Sequence, residues 1–277
     1  MQRRKVRRGA GLRQAGCAIL ALACAGGVFG DAQAGAWTMP KGRGQAITTL
    51  TFYRSQGGFD DQGQPVPAAR FQRTEAASYL EYGITKGLTV GAEPRYELVA
   101  SGVGPLRNET RGPGDLDLFA RQHILKYGPW LASVQALVKL PLYSRARQPL
   151  PGNGFREYEF RVALGRPMRL LWPGAFIDSE IAYRRGTGGL ADQIRTDITV
   201  GVRPAPRFLV LLKGYRTRSL GIGGGTPGAS YDLDKAEVSG VLRVTRTMSL
   251  ELGAERDFAG ERVGLGTAVH AAVWLRF

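Results

Sequence analysis

Alternating apolar and polar positions run through most of this chain, and the pattern is clearest at the C terminus. Between Val263 and Phe277 the odd-numbered positions are nearly all apolar, whereas the even-numbered positions are small, polar or amphipathic. A period of two residues predicts a β-strand with two different faces. Because the strand ends the sequence, nothing after it can cover its edge, and the pattern favours a sheet that closes on itself.

Similar alternation recurs in segments of about 10 to 14 residues, separated in turn by long polar loops and by short turns. This asymmetry predicts an antiparallel meander with two different ends. Counted from about Gln45 to Phe277, the segments number twelve. No apolar run in this region approaches the length of a membrane-spanning helix, so a role in a membrane can come only through strands. The predicted fold is all-β: a closed antiparallel transmembrane up-and-down β-barrel of about 12 strands.

Two segments depart from simple alternation. The third strand, which begins at Leu88, contains Pro94, and a proline in a ladder loses one hydrogen bond, so we expect a local bulge or distortion. The ninth strand begins with the continuous apolar run 208–212. Its inner face is therefore predicted only from Lys213, Tyr215 and Thr217.

The face opposite the apolar one carries charges whose sign alternates from strand to strand. Cross-strand charge pairs of this kind are typical of strands that line an enclosed wet space. A water-soluble sandwich, with the apolar rows between two sheets, is the alternative that periodicity alone does not exclude. In the barrel, the charged side chains predicted to line the lumen are Glu93, Arg95, Glu97, Asp115, Asp117, Arg121, Glu157, Glu159, Arg161, Asp178, Glu180, Arg184, Arg195, Asp197, Glu237, Glu251 and Glu255.

Aromatic residues lie near the ends of many predicted strands. Membrane barrels carry aromatic girdles at both membrane interfaces. The residues predicted to form these girdles are Trp37, Tyr82, Tyr96, Trp130, Tyr143, Trp172, Tyr183 and Trp274.

The first 34 residues have the pattern of a secretory signal peptide. A basic head is followed by an apolar stretch at residues 15–29 and by the small-residue cleavage pattern Ala32-Gln33-Ala34. An uncleaved anchor, or lipoprotein processing at Cys24, is the alternative. The predicted organisation is a signal peptide at residues 1–34 and an outer-membrane β-barrel at residues 35–277, with both cysteines removed with the signal.

The sequence carries a formal net charge of +15 at pH 7. No basic run with interleaved aromatic residues follows the predicted signal, so nucleic acid is not an expected partner. Surplus positive charge instead fits contact with lipid phosphates. We therefore expect outer-membrane lipid and lipopolysaccharide as partners.

The sequence offers little that indicates catalysis or a cofactor. His123 and His270 are the only histidines, so a metal site built from cysteine and histidine is not expected. The glycine run 223–225 lacks the lysine and serine or threonine of a phosphate-binding loop. Carboxylate pairs such as Asp115 with Asp117 lie beside basic residues on one strand face, which favours a structural salt network. No enzyme activity, cofactor or metal is predicted.

The C-terminal strand resembles that of Gram-negative outer-membrane β-barrels, which end in an aromatic residue after alternating apolar positions. This resemblance implies that the protein resides in the bacterial outer membrane. It also implies that Phe277 is part of the assembly signal read by the barrel-assembly machinery, a further expected partner.

A second resemblance rests on loose strand motifs at residues 36–45 and 79–85, continued at residues 114–116 and 134–139. These motifs resemble outer-membrane proteins grouped with meta-pathway phenol degradation, which are similar to channels for small hydrophobic compounds. The long N-terminal plug of the known hydrophobic-compound channels has no obvious room before Gln45.

Together these features predict a monomeric outer-membrane channel or transporter for small solutes, with small hydrophobic or aromatic compounds as the class that the resemblance implies. Twelve strands should enclose a narrow lumen, because eight strands enclose a filled interior and sixteen leave an aqueous pore. An outer-membrane enzyme acting on lipid or peptide and a structural or adhesive barrel are the alternatives. A histidine at the rim beside serine or aspartate would favour the enzyme, and an interior plugged by salt bridges, together with large ordered loops, would favour the adhesin.

Overall fold

The computed structural model describes residues 35–102, 105, 107–146, 148–168, 174–224 and 229–277. The strands within these residues are β1 (Gly44–Phe59), β2 (Pro65–Gly83), β3 (Leu88–Ser101), β4 (Asn108–Tyr127), β5 (Trp130–Pro141), β6 (Glu157–Pro167), β7 (Phe176–Gly186), β8 (Gln193–Ala205), β9 (Phe208–Ser219), β10 (Asp232–Arg243), β11 (Met248–Glu261) and β12 (Val263–Arg276). The described residues contain no helix long and apolar enough to cross a membrane.

The twelve strands form one closed antiparallel barrel. Each strand pairs with its neighbours in the chain, and β1 pairs with β12 to close the sheet, with Gln45 opposite Arg276. The closure extends to the last residue, because the Gly44 amide donates to the Phe277 carbonyl at 2.7 Å and the Phe277 amide donates back to Gly44 at 3.0 Å. The predicted all-β barrel is confirmed.

The apolar face of each strand points away from the barrel axis. Large apolar side chains are exposed on the outside, among them Leu252 at 71% and Phe160 at 54%. The intervening polar and charged residues are buried or half-buried inside the ring. This arrangement is the reverse of a water-soluble protein and matches a barrel surrounded by lipid.

Several strands extend further than the alternation indicates. β2 begins at Pro65 rather than near Phe71, and β4 begins at Asn108 within the predicted loop 101–114. The β2 extension contains two prolines, and the β4 extension contains two glycines, one proline and four polar residues. Both continue the hairpins beyond the apolar part of the wall, where alternation with an apolar face is not required. The expected distortion at Pro94 is confirmed, since the pairing of β3 with β4 shifts register between Pro94 and Tyr96.

The predicted aromatic girdle is only partly correct. Tyr82, Tyr96, Trp130 and Tyr183 are exposed on the outer wall, whereas Trp172 lies outside the described residues.

Three members of the predicted girdle lie elsewhere. Trp274 is buried inside the barrel because it occupies an inward position of β12, and Trp37 packs there against Phe176. Tyr143 lies in the loop between β5 and β6, where its hydroxyl accepts a hydrogen bond from the Gly154 amide at 3.0 Å. Burial of this phenol, together with the nearby Asp115 carboxylate, raises the pKa of Tyr143 above its usual value.

Candidate functional site: the barrel lumen

Charged side chains on β6, β7 and β8 form a continuous network inside the long-loop half of the barrel. Arg184 bridges Glu157 at 2.9 Å and Glu159 at 2.7 Å. Arg161 also contacts Glu159, at 2.9 Å, and the Glu159 side chain is completely shielded from solvent. Arg161 extends the network to β8 through Asp197 at 2.8 Å, and it also pairs with Glu180. Each guanidinium therefore serves at least two carboxylates.

The same network continues around the wall toward β3. Lys139 on β5 lies 3.3 Å from Glu157 and 3.5 Å from Asp115. Arg95 on β3 contacts Asp117 on β4 at 3.0 Å. The backbone register places these residues in adjacent inward positions, so one row of ion pairs spans strands β3 to β8.

The structure places every charged residue predicted to line the lumen on the inner face, although it groups them in different ways. Direct ion pairs are formed by Glu93, Arg95, Asp115, Asp117, Arg121, Glu157, Glu159, Arg161, Glu180, Arg184, Arg195, Asp197, Glu237 and Glu255. Glu251 accepts a hydrogen bond from the Trp274 indole at 2.8 Å. Glu97 is buried, and its Oε2 has no hydrogen-bond partner among the described residues.

The short-turn end of the lumen is filled by the chain segment that precedes β1. The Ala36 amide donates to Asp178 on β7 at 2.9 Å, and the Trp37 carbonyl accepts from Arg121 on β4 at 3.1 Å. The Met39 amide donates to Thr89 on β3 at 2.7 Å. The segment is much shorter than a plug domain, but it enters the lumen, where hydrogen bonds to three strands hold it. We call residues 36–39 the lumen segment.

An apolar cluster surrounds the Trp37 ring. Its edge-to-face contact with Phe176 has a centroid distance of 5.6 Å. Gly165 on β6 allows the close approach, because a Cβ at this position would overlap the Trp37 ring. The buried members of the cluster are Phe176, Leu209, Leu211, Val241, Ala272 and Trp274, with Trp37 and Ile47 packed against them.

This cluster explains the ambiguous ninth strand. The inward placement of Lys213, Tyr215 and Thr217 agrees with the structure, where these residues face the lumen. Leu209 and Leu211 also point inward, onto the apolar cluster, while Phe208, Val210 and Leu212 face outward. Alternation disappears at residues 208–212 because both faces of the strand are apolar at this end. The continuous apolar run was the signal for a packed interior.

His270 and two glutamates form a second group of side chains, which the sequence did not predict because each residue lies on a different strand. The His270 Nε2 atom lies 3.6 Å from Glu251 and 3.8 Å from Glu237. One histidine and two carboxylates could ligate a divalent cation in principle, and these ligand atoms lie within 4.8 Å of one another. However, the Lys213 ammonium already lies 2.8 Å from Glu237 and opposes a bound cation. The group is better described as part of the salt network.

The known structures that this protein resembles are outer-membrane barrels. The COG4313 outer membrane channel from Pseudomonas putida F1 matches with a TM-score of 0.73 at 15% identity, over 88% of this chain and 99% of that chain. The NanC porin matches with a TM-score of 0.56 at 10% identity, over 83% of this chain and 98% of the porin. The β domain of the Bordetella autotransporter BrkA matches with a TM-score of 0.50 at 13% identity, covering 84% and 98%.

No protein-family model and no curated protein sequence matches the chain. At these identities, the structural likeness establishes the fold of the outer-membrane β-barrels. Since these examples are a channel, a porin and an autotransporter domain, function has to be argued from the lumen itself.

Proposed function

We propose that this protein is a channel of the bacterial outer membrane for small solutes. The short turns, the start of β1 and the end of β12 lie on the periplasmic side. The long loops lie on the extracellular side, as in barrels of this class. The lumen segment supports the proposal most directly. The lumen segment fills one end of an interior that is otherwise charged and wettable. This arrangement is expected of a channel whose passage is kept narrow.

The solutes that fit this passage are small and carry little net charge. The outer half of the lumen presents both signs in close pairs, such as Arg184 with Glu157, so neither cations nor anions gain much on entry. The periplasmic half of the lumen presents Trp37 and the apolar cluster. A small aromatic or other partly apolar compound satisfies both halves better than a strongly charged one.

Enzyme activity is not part of the proposal. His123 lies near the periplasmic end of β4, and His270 lies between Glu251 and Glu237 inside the barrel. Neither histidine is at the outer rim beside a serine or aspartate. The comparison structures that carry weight are described as a channel, a porin and an autotransporter domain.

Single-channel recording tests the proposal. Wild-type protein in a planar bilayer should give small conductance steps, and deletion of residues 36–39 should enlarge them several-fold, because the lumen segment is the narrow point. Deletion of residues 144–146, which lie in an outer loop, is the matched control and should leave the steps unchanged. If neither the wild type nor the lumen-segment deletion conducts, the barrel is structural or adhesive rather than a channel.

Removal of residues 1–34 as a signal peptide remains part of the proposal. Support comes from the surroundings of Gly35, where a Cβ would overlap carboxylate oxygens of both Asp178 and Glu180. Cleavage before Gly35 would create an α-ammonium group beside these two carboxylates and would anchor the lumen segment more firmly. Intact-mass measurement of protein from outer membranes tests this directly, since a mature chain that retains residues 1–34 would contradict it.

A further inference from the structure

Three arginines lie close together on the outside of the barrel, near its extracellular end. Arg54 on β1, Arg70 on β2 and Arg256 on β11 form what we call the outer-wall arginine cluster. In the strand register, Thr267 of β12 pairs with Arg54 on one side and with Arg256 on the other. Since neighbouring strands lie about 4.8 Å apart, the backbones of Arg54 and Arg256 are separated by about 10 Å. Side chains of this length can reach one common ligand.

The cluster keeps its positive charge. Within the part of the chain that the structure describes, no carboxylate lies within 4.0 Å of any of its three guanidinium groups. The Gln56 amide lies between two of them, and with its oxygen turned toward them it accepts from Arg54 Nε at 2.9 Å and from Arg70 at 3.3 Å. The Nε atom of Arg70 is buried and has no hydrogen-bond partner among the described residues.

Two other arginines on the outer wall are neutralised within the protein. Arg216 and Arg218 on β9 both bind the Asp234 carboxylate, at 3.0 Å and 2.8 Å. An ion pair with Asp234 satisfies these guanidinium groups within the protein. The outer-wall arginine cluster instead presents uncompensated charge to whatever surrounds the barrel.

The position of the cluster corresponds to the boundary between lipid tails and headgroups. Arg54 follows Gly44 by ten residues, which places it about 25 Å higher for a strand tilted by about 40°. The apolar band of such barrels is also about 25 Å tall. Directly below the cluster, the wall exposes Phe52 at 51% and Val269 at 56%. A bound molecule would therefore meet cations above and an apolar wall beneath.

A shallow depression of about 420 Å³ lies between these strands on the outer wall. It is lined by Arg54, Gln56, Arg256, Leu265, Gly266 and Thr267. Guanidinium groups bind phosphate oxygens with paired, charge-assisted hydrogen bonds, whereas leucine and the exposed apolar wall suit acyl chains. The two chemistries occur together in a phosphorylated membrane lipid.

We propose that the outer-wall arginine cluster binds a phosphate of lipid A, the membrane anchor of lipopolysaccharide, and that its acyl chains lie along β1, β12 and β11 below the cluster. This inference rests on the proposed location in the outer membrane but not on solute passage. Any arginine at this depth can reach generally toward headgroups. Arg54 and Arg256 line one depression, with Arg70 beside them at Gln56, and no carboxylate in the described part of the chain neutralises them; this distinguishes a specific site from that general behaviour.

Binding can be tested with purified folded barrel in detergent, titrated with lipid A that carries both phosphates and followed by native mass spectrometry. The wild type should retain one lipid A molecule. The double variant Arg54→Gln with Arg256→Gln should bind it at least about ten-fold more weakly, because two charge-assisted contacts to phosphate are lost. Wild-type protein should show a similar loss with dephosphorylated lipid A.

The matched control is the double variant Arg111→Gln with Arg185→Gln, which removes the same charge from outward positions on β4 and β7. It should bind lipid A within about two-fold of the wild type, and gel mobility before heating should confirm that both variants are folded. Equal losses in the two double variants, or undiminished binding in the cluster variant, would overturn the site. Displacement of lipid A by low-millimolar inorganic phosphate would identify an ion site rather than a lipid site. Unchanged conductance in the cluster variant keeps this test separate from the channel proposal.

Discussion

The two halves of the lumen are built by the same strands but filled in opposite ways. In the outer half, Arg161 and Arg184 sit among carboxylates in a continuous salt network. In the periplasmic half, Phe176 and Leu209 are almost fully buried, at 1% and 2% exposure, and pack with Trp37 in an apolar cluster. The interior of one closed barrel can therefore be charged at one end and apolar at the other.

The two halves differ in whether their stability depends on excluding water. Ion pairs tolerate a wet passage because each charged group already has a partner of opposite sign and water need not be excluded, and their net contribution to stability is modest. An apolar cluster gains its stability by excluding water. The salt network thus leaves the outer half wettable, whereas packing narrows the periplasmic half. Variants that disturb one half should have different consequences from variants that disturb the other.

The largest effect on stability is expected at Phe176. Truncation in the variant Phe176→Ala removes a buried ring that contacts Trp37, and it should lower the free energy of unfolding by about 3 to 5 kcal/mol. Phe160→Ala is the matched control, because Phe160 is 54% exposed on the outer wall, so the variant loses contact with lipid but little packing within the protein and should cost less. Denaturant titrations of the folded barrel in lipid measure both variants. Similar losses at the two positions would show that the periplasmic half is not a packed core.

A smaller cost is expected where a charge is placed on the outside of the wall. Leu212 is 51% exposed on the lipid-facing side of β9. The variant Leu212→Arg should cost about 2 to 4 kcal/mol, since the new charge lies at mid-depth in the membrane. The neighbouring change Lys213→Arg keeps the charge inside and should cost less than about 1 kcal/mol. Equal costs in the same unfolding assay would contradict the assigned inner and outer faces.

Charge removal in the outer half should change selectivity. Within about 8 Å at physiological salt, opposite charges largely cancel, so the wild-type lumen should show weak ion selectivity. The double variant Arg161→Gln with Arg184→Gln leaves Glu159 and Glu180 in excess and should favour cations. Reversal potentials under a salt gradient measure the shift.

A variant in the periplasmic half serves as the control for selectivity. Trp37→Leu should enlarge the conductance and leave the reversal potential near the wild-type value, because it changes no charge. Strong anion selectivity in the wild type would contradict the balanced lumen. So would a double variant whose reversal potential does not move toward cations.

The smallest effect on folded stability is expected at Phe277. Its ring is 61% exposed, and its backbone closes the barrel onto Gly44. Deletion of Phe277 should reduce the amount of assembled protein in the outer membrane several-fold, while barrels that do assemble lose only about 1 to 3 kcal/mol, the scale of the two hydrogen bonds removed. Quantified membrane fractions and unheated gels separate assembly from stability. Wild-type amounts of the truncated protein would contradict a role in the assembly signal.

The sequence by itself determined the barrel. Strand number, antiparallel order and the distinction between outer and inner faces could be read from alternation, because a strand that separates lipid from a polar interior has to change chemistry at every residue. The bulge at Pro94 was equally predictable, since a missing amide donor acts locally. The inward positions of Glu159 and Arg161 followed from the same period of two.

Only the tertiary structure decided how the interior is filled. Which carboxylate Arg184 contacts depends on the register between strands, and alternation within one strand carries no register information. Trp37 was expected in the membrane interface, yet it lies in the lumen, because the barrel closes around the segment before β1. Trp274 was expected there too, and it lies in the lumen because it occupies an inward position of β12. The outer-wall arginine cluster unites residues from β1, β2 and β11, which become neighbours only when the last strand pairs with the first. Contacts between residues far apart in the sequence form only when the barrel closes, and no local sequence pattern specifies them.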